Sequence, residues 1–216
     1  MSKLYPESHV EVQGLSARYY DLTLNVASAG FYSKFIKAAI EKMNIQPDDR
    51  ILDLGCGTGR NACLMRAHLA DSGHITGMDI SDEMGDQFKS NCAAYNNIEF
   101  KNQRIDIGFK EDDPFDLIFM SFVLHGLPHE VRFKVLKNIY NNLKPGGRFH
   151  LLDFSQFKIK EMPFHYRLLF KTFECKYAFD FVERDWKHIL SNTGFSNFNE
   201  HFWFKNYVRL LTAEKK

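Results

Sequence analysis

Ile51-Leu52-Asp53-Leu54-Gly55-Cys56-Gly57-Thr58-Gly59 is the stretch that decides how this chain folds. An apolar, β-leaning run stops abruptly in a glycine-rich turn, and a helix-compatible segment, Asn61 to Leu69, follows it. Strand, tight loop and helix in that order make the opening unit of a nucleotide-binding α/β fold. Gly55, Gly57 and Gly59 carry no Cβ to keep a ligand off the backbone, and they permit positive φ. The N–H groups at the start of the new helix favour an electron-rich ligand. The spacing is Gly-x-Gly-x-Gly, without the later glycine that a pyrophosphate fingerprint uses. Asp53 places a carboxylate inside the strand end, two residues before the first glycine.

Downstream segments extend the pattern. His74 to Ile80 is a short apolar-rich strand, and its Asp79 lies about 20 residues past the loop, where a carboxylate can accept hydrogen bonds from ribose hydroxyls. Ser81 is a good N-cap for the next helix, with Met84 three residues on. A plain helix cap is the competing reading for Asp79, and ordinary helix core for Met84. Asn97 to Asn102 reads as a third strand, and Pro114 to Ser121 resembles the fourth strand of the family named below. Leu143-Lys144-Pro145-Gly146-Gly147 predicts a turn, followed by a fifth strand from Arg148 to Phe154. Helical spacing marks Phe31 to Met43 and the run from Val131 to Leu143, the latter starting near Pro128. A last helix covers Glu183 to Ser191 and breaks at Gly194. Phe195 to Leu211 reads as a hairpin turning near Lys205-Asn206. Strand–helix alternation implies a mostly parallel sheet, to which the hairpin adds an antiparallel strand.

Taken together, these motifs resemble those of the class I S-adenosylmethionine-dependent methyltransferases, and among them the quinone-biosynthesis and phospholipid-headgroup members. The resemblance covers roughly residues 18 to 213, with its specific motifs in 51 to 84 and 114 to 154. It implies a Rossmann-like, doubly wound, seven-stranded sheet of order 3-2-1-4-5-7-6. It also implies S-adenosyl-L-methionine as cofactor and S-adenosyl-L-homocysteine as product. By the same resemblance Asp53, Gly55, Cys56, Gly57 and Gly59 form the cofactor loop. Asp79 holds the ribose, Ile80 and Met84 pack against the adenine, and Ser121 closes the set at the end of the fourth strand. The family's Asp-Ala pair after the third strand is missing: Arg104-Ile105 stands there, with Asp106 late. Either Asp106 reaches the adenine by a loop shift, or backbone near Ile105 holds it alone.

Composition bounds the rest. The 216 residues suit a single domain, 1–216, with an N-terminal helical arm at 1–44 and an insertion at 154–181. A net charge of +1 gives no global pull towards nucleic acid. Cys56, Cys63, Cys92 and Cys175 show no CxxC spacing, so neither a disulfide framework nor a zinc site is expected, and no metal is. No apolar run reaches spanning length, and Met1 to Glu7 lacks a signal-peptide core; the expectation is a cytoplasmic protein.

Methyl transfer demands alignment, exclusion of water and, for some acceptors, removal of a proton. His125, just after the fourth strand, is placed to act as general base or to orient the acceptor. Tyr20, in Tyr19-Tyr20-Asp21, resembles the Tyr-Asp pair before the domain in small-molecule members and can close over the cofactor's methionine end. Phe154 to Phe181 holds nine Phe or Tyr in 28 residues, with Tyr166, Leu169, Phe170, Phe173 and Tyr177 at helical spacing after Pro163. Lys158, Lys160, Arg167 and Lys171 flank that stripe. A lid of this kind predicts a small, apolar or lipid-like acceptor and peripheral membrane contact. Two other classes stay open: a cofactor-binding protein of the same fold without methyl transfer, and a protein or RNA methyltransferase. For the last, Ser121-Phe122-Val123-Leu124 lacks an Asn-Pro-Pro-Tyr-type motif. Oligomeric state stays open as well.

Overall fold

The structure is a computed structural model that describes residues 4–8 and 31–216. Tyr19, Tyr20 and Asp21 lie outside the described residues. Helix α1 (Phe31–Glu41) leads into β1 (Arg50–Leu54), α2 (Arg60–Arg66), β2 (His74–Asp79), α3 (Asp82–Asn91) and β3 (Ile98–Asn102). Next come β4 (Phe115–Ser121), a 3-10 turn at Leu124–Gly126, α4 (His129–Asn142) and β5 (Leu143–Phe154). After β5 the chain forms α5 (Phe164–Phe173), α6 (Lys176–Val182), α7 (Trp186–Thr193), β6 (Phe195–Trp203) and β7 (Val208–Lys215). The seven strands form one sheet of order β3-β2-β1-β4-β5-β7-β6, as expected. β1 to β5 pair in parallel, and β7 runs antiparallel to both β5 and β6.

Helices cover both faces, so the central strands are apolar on both sides rather than alternating. Ile51, Leu117, Phe119 and Leu152 pack under α1, α2 and α3 with Ile36, Ile40, Met65 and Phe88. Leu52, Leu54, Ile118, Met120 and Leu151 face the other way, onto Val135, Ile139, Phe181 and Trp186 of α4, α6 and α7. Each such side chain taken fully from water contributes about 1.5–3 kcal/mol. No described helix is long and apolar enough to cross a membrane.

Four local expectations need correction. β5 begins at Leu143, and Pro145-Gly146-Gly147 lies within it as an irregularity, with Gly146 at φ +74. The pairing jumps from Phe115↔Leu143 to Leu117↔Arg148, so the glycines form a bulge rather than end the strand. The aromatic stripe of the insertion is not one helix: Glu174 and Cys175 are extended, and Tyr177 belongs to α6. A separate helix, α6, begins at Lys176 and buries Ala178, Phe181 and Val182. The last helix starts later than Glu183, because Asp185 caps it by accepting from the His188 amide at 3.0 Å. Finally, Cys63 and Cys92 are joined as a disulfide, their Cα atoms 6.0 Å apart. Packing of α2 against the end of α3 brings them together, which no spacing in the sequence announces.

Candidate active site

The parallel strands deliver their carboxyl ends to one edge, and the order reverses between β1 and β4 there, making the crevice in which such sheets bind ligands. After β1 the chain turns over the end of β2, with Gly55 and Cys56 both donating to the Met78 carbonyl, at 2.8 and 3.1 Å. Gly55, Gly57 and Gly59 all adopt positive φ. A Cβ on Gly55 would strike Val123 at 2.5 Å, so the loop and the turn after β4 are in contact. A Cβ on Gly57 would meet nothing within 4 Å: the space above this glycine is open.

Two carboxylates flank the loop. Asp79 accepts from the Gly57 amide and from the Ser81 amide, both at 3.0 Å, and keeps lone pairs for a ligand. Burial raises its pKa, and those amides work against the rise. Asp53 is fully buried, and its Oδ2 has no hydrogen-bond partner among the described residues. Burial, then the neighbouring Asp79 charge, push its carboxyl up to about 7. Burial and the same two carboxylates also raise the Cys56 thiol, so that this side chain sits neutral in the loop. Ser81 accepts from the Met84 amide at 3.3 Å; Met84 is buried and Ile80 is half-buried. A buried orphan oxygen, an open glycine and a ribose-ready carboxylate fit a ligand with a cationic amine and vicinal hydroxyls. S-adenosylmethionine has both.

The segment after β3 is pinned to α4, with Asn138 donating to the carbonyls of Ile105 and Ile107 at 2.9 and 2.8 Å. Asp106 is committed elsewhere: Arg104 donates to it at 2.6 and 3.0 Å, and Tyr5 at 2.7 Å. The Arg104 bond comes first among the causes that hold its carboxyl below the usual range.

Beyond Ser121 the chain reverses through Phe122, a non-glycine residue at φ +53, and this turn aims the 3-10 segment inward. His125 is buried there. Its Nδ1 lies 2.7 Å from Asp153 at the end of β5, and its amide donates to the same carboxylate at 3.2 Å. A carboxylate only accepts, so Nδ1 carries the hydrogen between the two. Nε2 points to Glu174, 3.7 Å away. Burial disfavours the charged imidazole, but Asp153 and Glu174 outweigh burial and Arg132, so its pKa stands above the ordinary value. Arg132 of α4 holds the turn, donating to the carbonyls of Leu124, His125 and Tyr177 and to Asp180. Asp153, Glu174 and Arg132 were not among the residues expected from sequence. Asp153 had a legible sign, an acid closing an apolar strand as Asp53 and Asp79 do.

Alongside lies a cavity of about 260 Å³, lined by Phe154, Phe157, Tyr166, Phe170, Phe173 and Glu174, among others. Phe154 is shared, with its ring 5.0 Å from the His125 ring and 5.2 Å from that of Phe170. Its outer wall comes from α5, whose Leu169 and Phe173 are also largely exposed.

Known proteins resemble this chain in sequence and in fold. A family model described as the ubiE/COQ5 methyltransferase family matches residues 7–178. The chain is 31% identical over 217 residues to the ubiquinone/menaquinone biosynthesis C-methyltransferase UbiE of Geotalea daltonii, covering 91% of each. It is 28% identical over 174 residues to the demethylmenaquinone methyltransferase of Listeria welshimeri, covering 77% of this chain and 72% of that one. In fold it is similar to a SAM-dependent methyltransferase from Aquifex aeolicus, with TM-score 0.61 and 19% identity over 84% of this chain and 89% of that one. Human N-acetylserotonin methyltransferase in complex with SAM gives TM-score 0.65 at 20% identity, over 93% of this chain and 58% of that one. With the family matched over most of its length and the fold shared, the chain belongs to the ubiE/COQ5 methyltransferase family and uses S-adenosylmethionine as its methyl donor.

Proposed function

We propose that this methyltransferase acts on a ring carbon of a quinol-type lipid, an aromatic diol with an apolar tail. The aromatic cavity between Phe154 and α5, adjoining His125, is the observation that carries the reading. The names of the two relatives, a quinone-biosynthesis C-methyltransferase and a demethylmenaquinone methyltransferase, support it. When bound, S-adenosylmethionine supplies an electrophilic methyl on a sulfonium. Asp53 receives the amine of its methionine end and Asp79 the ribose hydroxyls, while Ile80 and Met84 flank the adenine. Ser121 and the backbone near Ile105 and Asp106 complete that pocket. Phe154, Phe157 and Phe170 hold the acceptor ring and exclude water, so that carbon and methyl stay aligned. The His125 turn serves removal of a hydroxyl proton, which makes the ring carbon nucleophilic.

The acceptor reaches the cavity from an anionic lipid surface. Phe164, Leu168, Leu169 and Phe173 on α5 are 70, 55, 52 and 68% exposed, and Lys158, Lys160 and Lys171 stand exposed around them. Apolar side chains outward with cations at their margin suit an anionic headgroup layer.

The test is a screen with methyl-labelled cofactor over tailed hydroquinones, phenols, phospholipids and polar amines, with and without liposomes. Turnover of a tailed hydroquinone is expected, with loss of activity in Phe173→Ser while S-adenosylhomocysteine still binds. Turnover confined to a small polar amine would overturn the reading.

A further inference from the structure

We infer that Glu174 is the base that takes the acceptor's hydroxyl proton, with His125 and Asp153 aligned behind it as positioning residues. The inference rests on the quinol reading above and assigns the proton step within that site. His125 does not line the cavity, whereas Glu174 does. The imidazole is buried behind Phe154, its Nδ1 spent on Asp153 and its Nε2 turned to the Glu174 carboxylate at 3.7 Å. A hydroxyl in the cavity therefore meets Glu174 before it meets His125. The order is cavity, Glu174, His125, Asp153: carboxylate, imidazole, carboxylate. Such a chain can share a proton arriving at its outer end, because Asp153 stabilises the charged imidazole.

The position of Glu174 follows from the fold. The α5 helix ends at Phe173, and the Glu174 amide donates to the Phe170 carbonyl at 3.0 Å, which fixes the residue at the corner before α6. That corner places Glu174 in the wall of the cavity. Its side chain is 23% exposed, so a proton taken from the acceptor has a way out to water that buried His125 lacks. Among the described residues, the charged groups facing His125 are Asp153 from β5, Glu174 from the corner and Arg132 from α4, and the rings of Phe154 and Phe181 also pack against it.

The step balances as follows. The hydroxyl O–H bond breaks and its proton goes to Glu174. The ring carbon then forms the new C–CH₃ bond while the S–CH₃ bond breaks with its electrons left on sulfur. Loss of the hydrogen from the methylated ring carbon restores aromaticity, and one proton returns to the phenolate oxygen. One proton is released in net, through Glu174 to solvent.

The competing role for Glu174 is an anchor that merely ties the insertion to the His125 turn. The test uses the full chain with a demethylated naphthoquinol bearing a short isoprenoid tail. Wild type, Glu174→Gln, Glu174→Asp and Asp153→Asn are compared for kcat and KM from pH 5 to 9. The His125 ring is followed by NMR with labelled histidine, and S-adenosylhomocysteine affinity by calorimetry. Expected for Glu174→Gln is a kcat lowered about 100-fold or more, partly restored in Glu174→Asp. Cofactor Kd should stay within about twofold of wild type, below the loss that a broken charged contact to the cofactor would give. In Glu174→Gln and Asp153→Asn alike, the His125 titration should move to lower pH. A purely anchoring role predicts a changed KM or a lower melting temperature with kcat and its pH profile intact, and that result overturns the inference. If the wild type binds S-adenosylhomocysteine yet turns over no quinol, the acceptor reading falls and this inference with it. If the wild type is active and Glu174→Gln matches it, only this inference falls.

Discussion

Asp53 is where a single residue reports on the whole site. Its carboxyl is pushed up to about 7 by burial and then by Asp79, and one of its oxygens has no partner among the described residues. A cationic amine binds only the ionised form, so binding expels the proton that the ligand-free fold retains. The sign follows: affinity for S-adenosylhomocysteine should rise with pH, by up to about tenfold per unit below pH 7, and level off above it. The ligand-free protein moves the other way, since stability held by a bound proton is lost as pH rises through about 7. Calorimetry from pH 5.5 to 8.5, with Asp53→Asn as control, checks this. A slope that survives in Asp53→Asn would assign the proton to another group. At this scale the sequence was informative wherever function lies within one local motif. Asp53, Gly57 and Asp79 sit on a strand, loop and strand whose order dictates their meeting. Asp153 and Glu174 meet His125 only through tertiary packing, and no local pattern encodes that.

At the scale of elements, α5 is the piece whose sequence pattern misleads in an instructive way. Apolar residues at helical spacing ordinarily mark the face that packs inward. Here Phe170 is buried, while Phe164, Leu168, Leu169 and Phe173 look outward. Nothing in the spacing separates the two directions, because α5 is apolar over most of its surface. Neither Pro nor Gly marks its end, so nothing local in the sequence announces the corner at Glu174 and Cys175 that separates it from Tyr177. The outward stripe carries its own prediction. Phe164 and Leu168 do not line the cavity, so Phe164→Ser with Leu168→Ser should leave cofactor binding unchanged. Binding to vesicles containing anionic lipid should weaken at least about tenfold, the scale of one or two large side chains withdrawn from an apolar layer. Equal flotation of the variant and the wild type with such vesicles would remove α5 from the membrane contact.

For the whole molecule, alternation of strand and helix was enough to give the sheet, since right-handed crossovers leave few alternatives. It could not show how the insertion docks, and that is settled by one buried cation. Arg132 bonds to carbonyls on both sides, Leu124 and His125 in the turn and Tyr177 in α6, and its charge is met by Asp180. Arg132→Met should cost roughly 3 kcal/mol or more, because three carbonyl groups lose their donor at once. Urea unfolding is the measurement, and a variant as stable as wild type would mean that water replaces the guanidinium without loss. The turn, the insertion and the outer wall of the cavity are thus one connected body, and Leu169 and Phe173 belong both to that wall and to the exposed stripe. For an acceptor dissolved in a bilayer, this shared wall changes what concentration means. An enzyme docked on that bilayer, as proposed above, would sample a plane rather than a volume, so the quantity it would respond to is the acceptor's mole fraction among the surrounding lipids. Inert lipid then acts as a diluent, slowing turnover although neither enzyme nor acceptor has been removed.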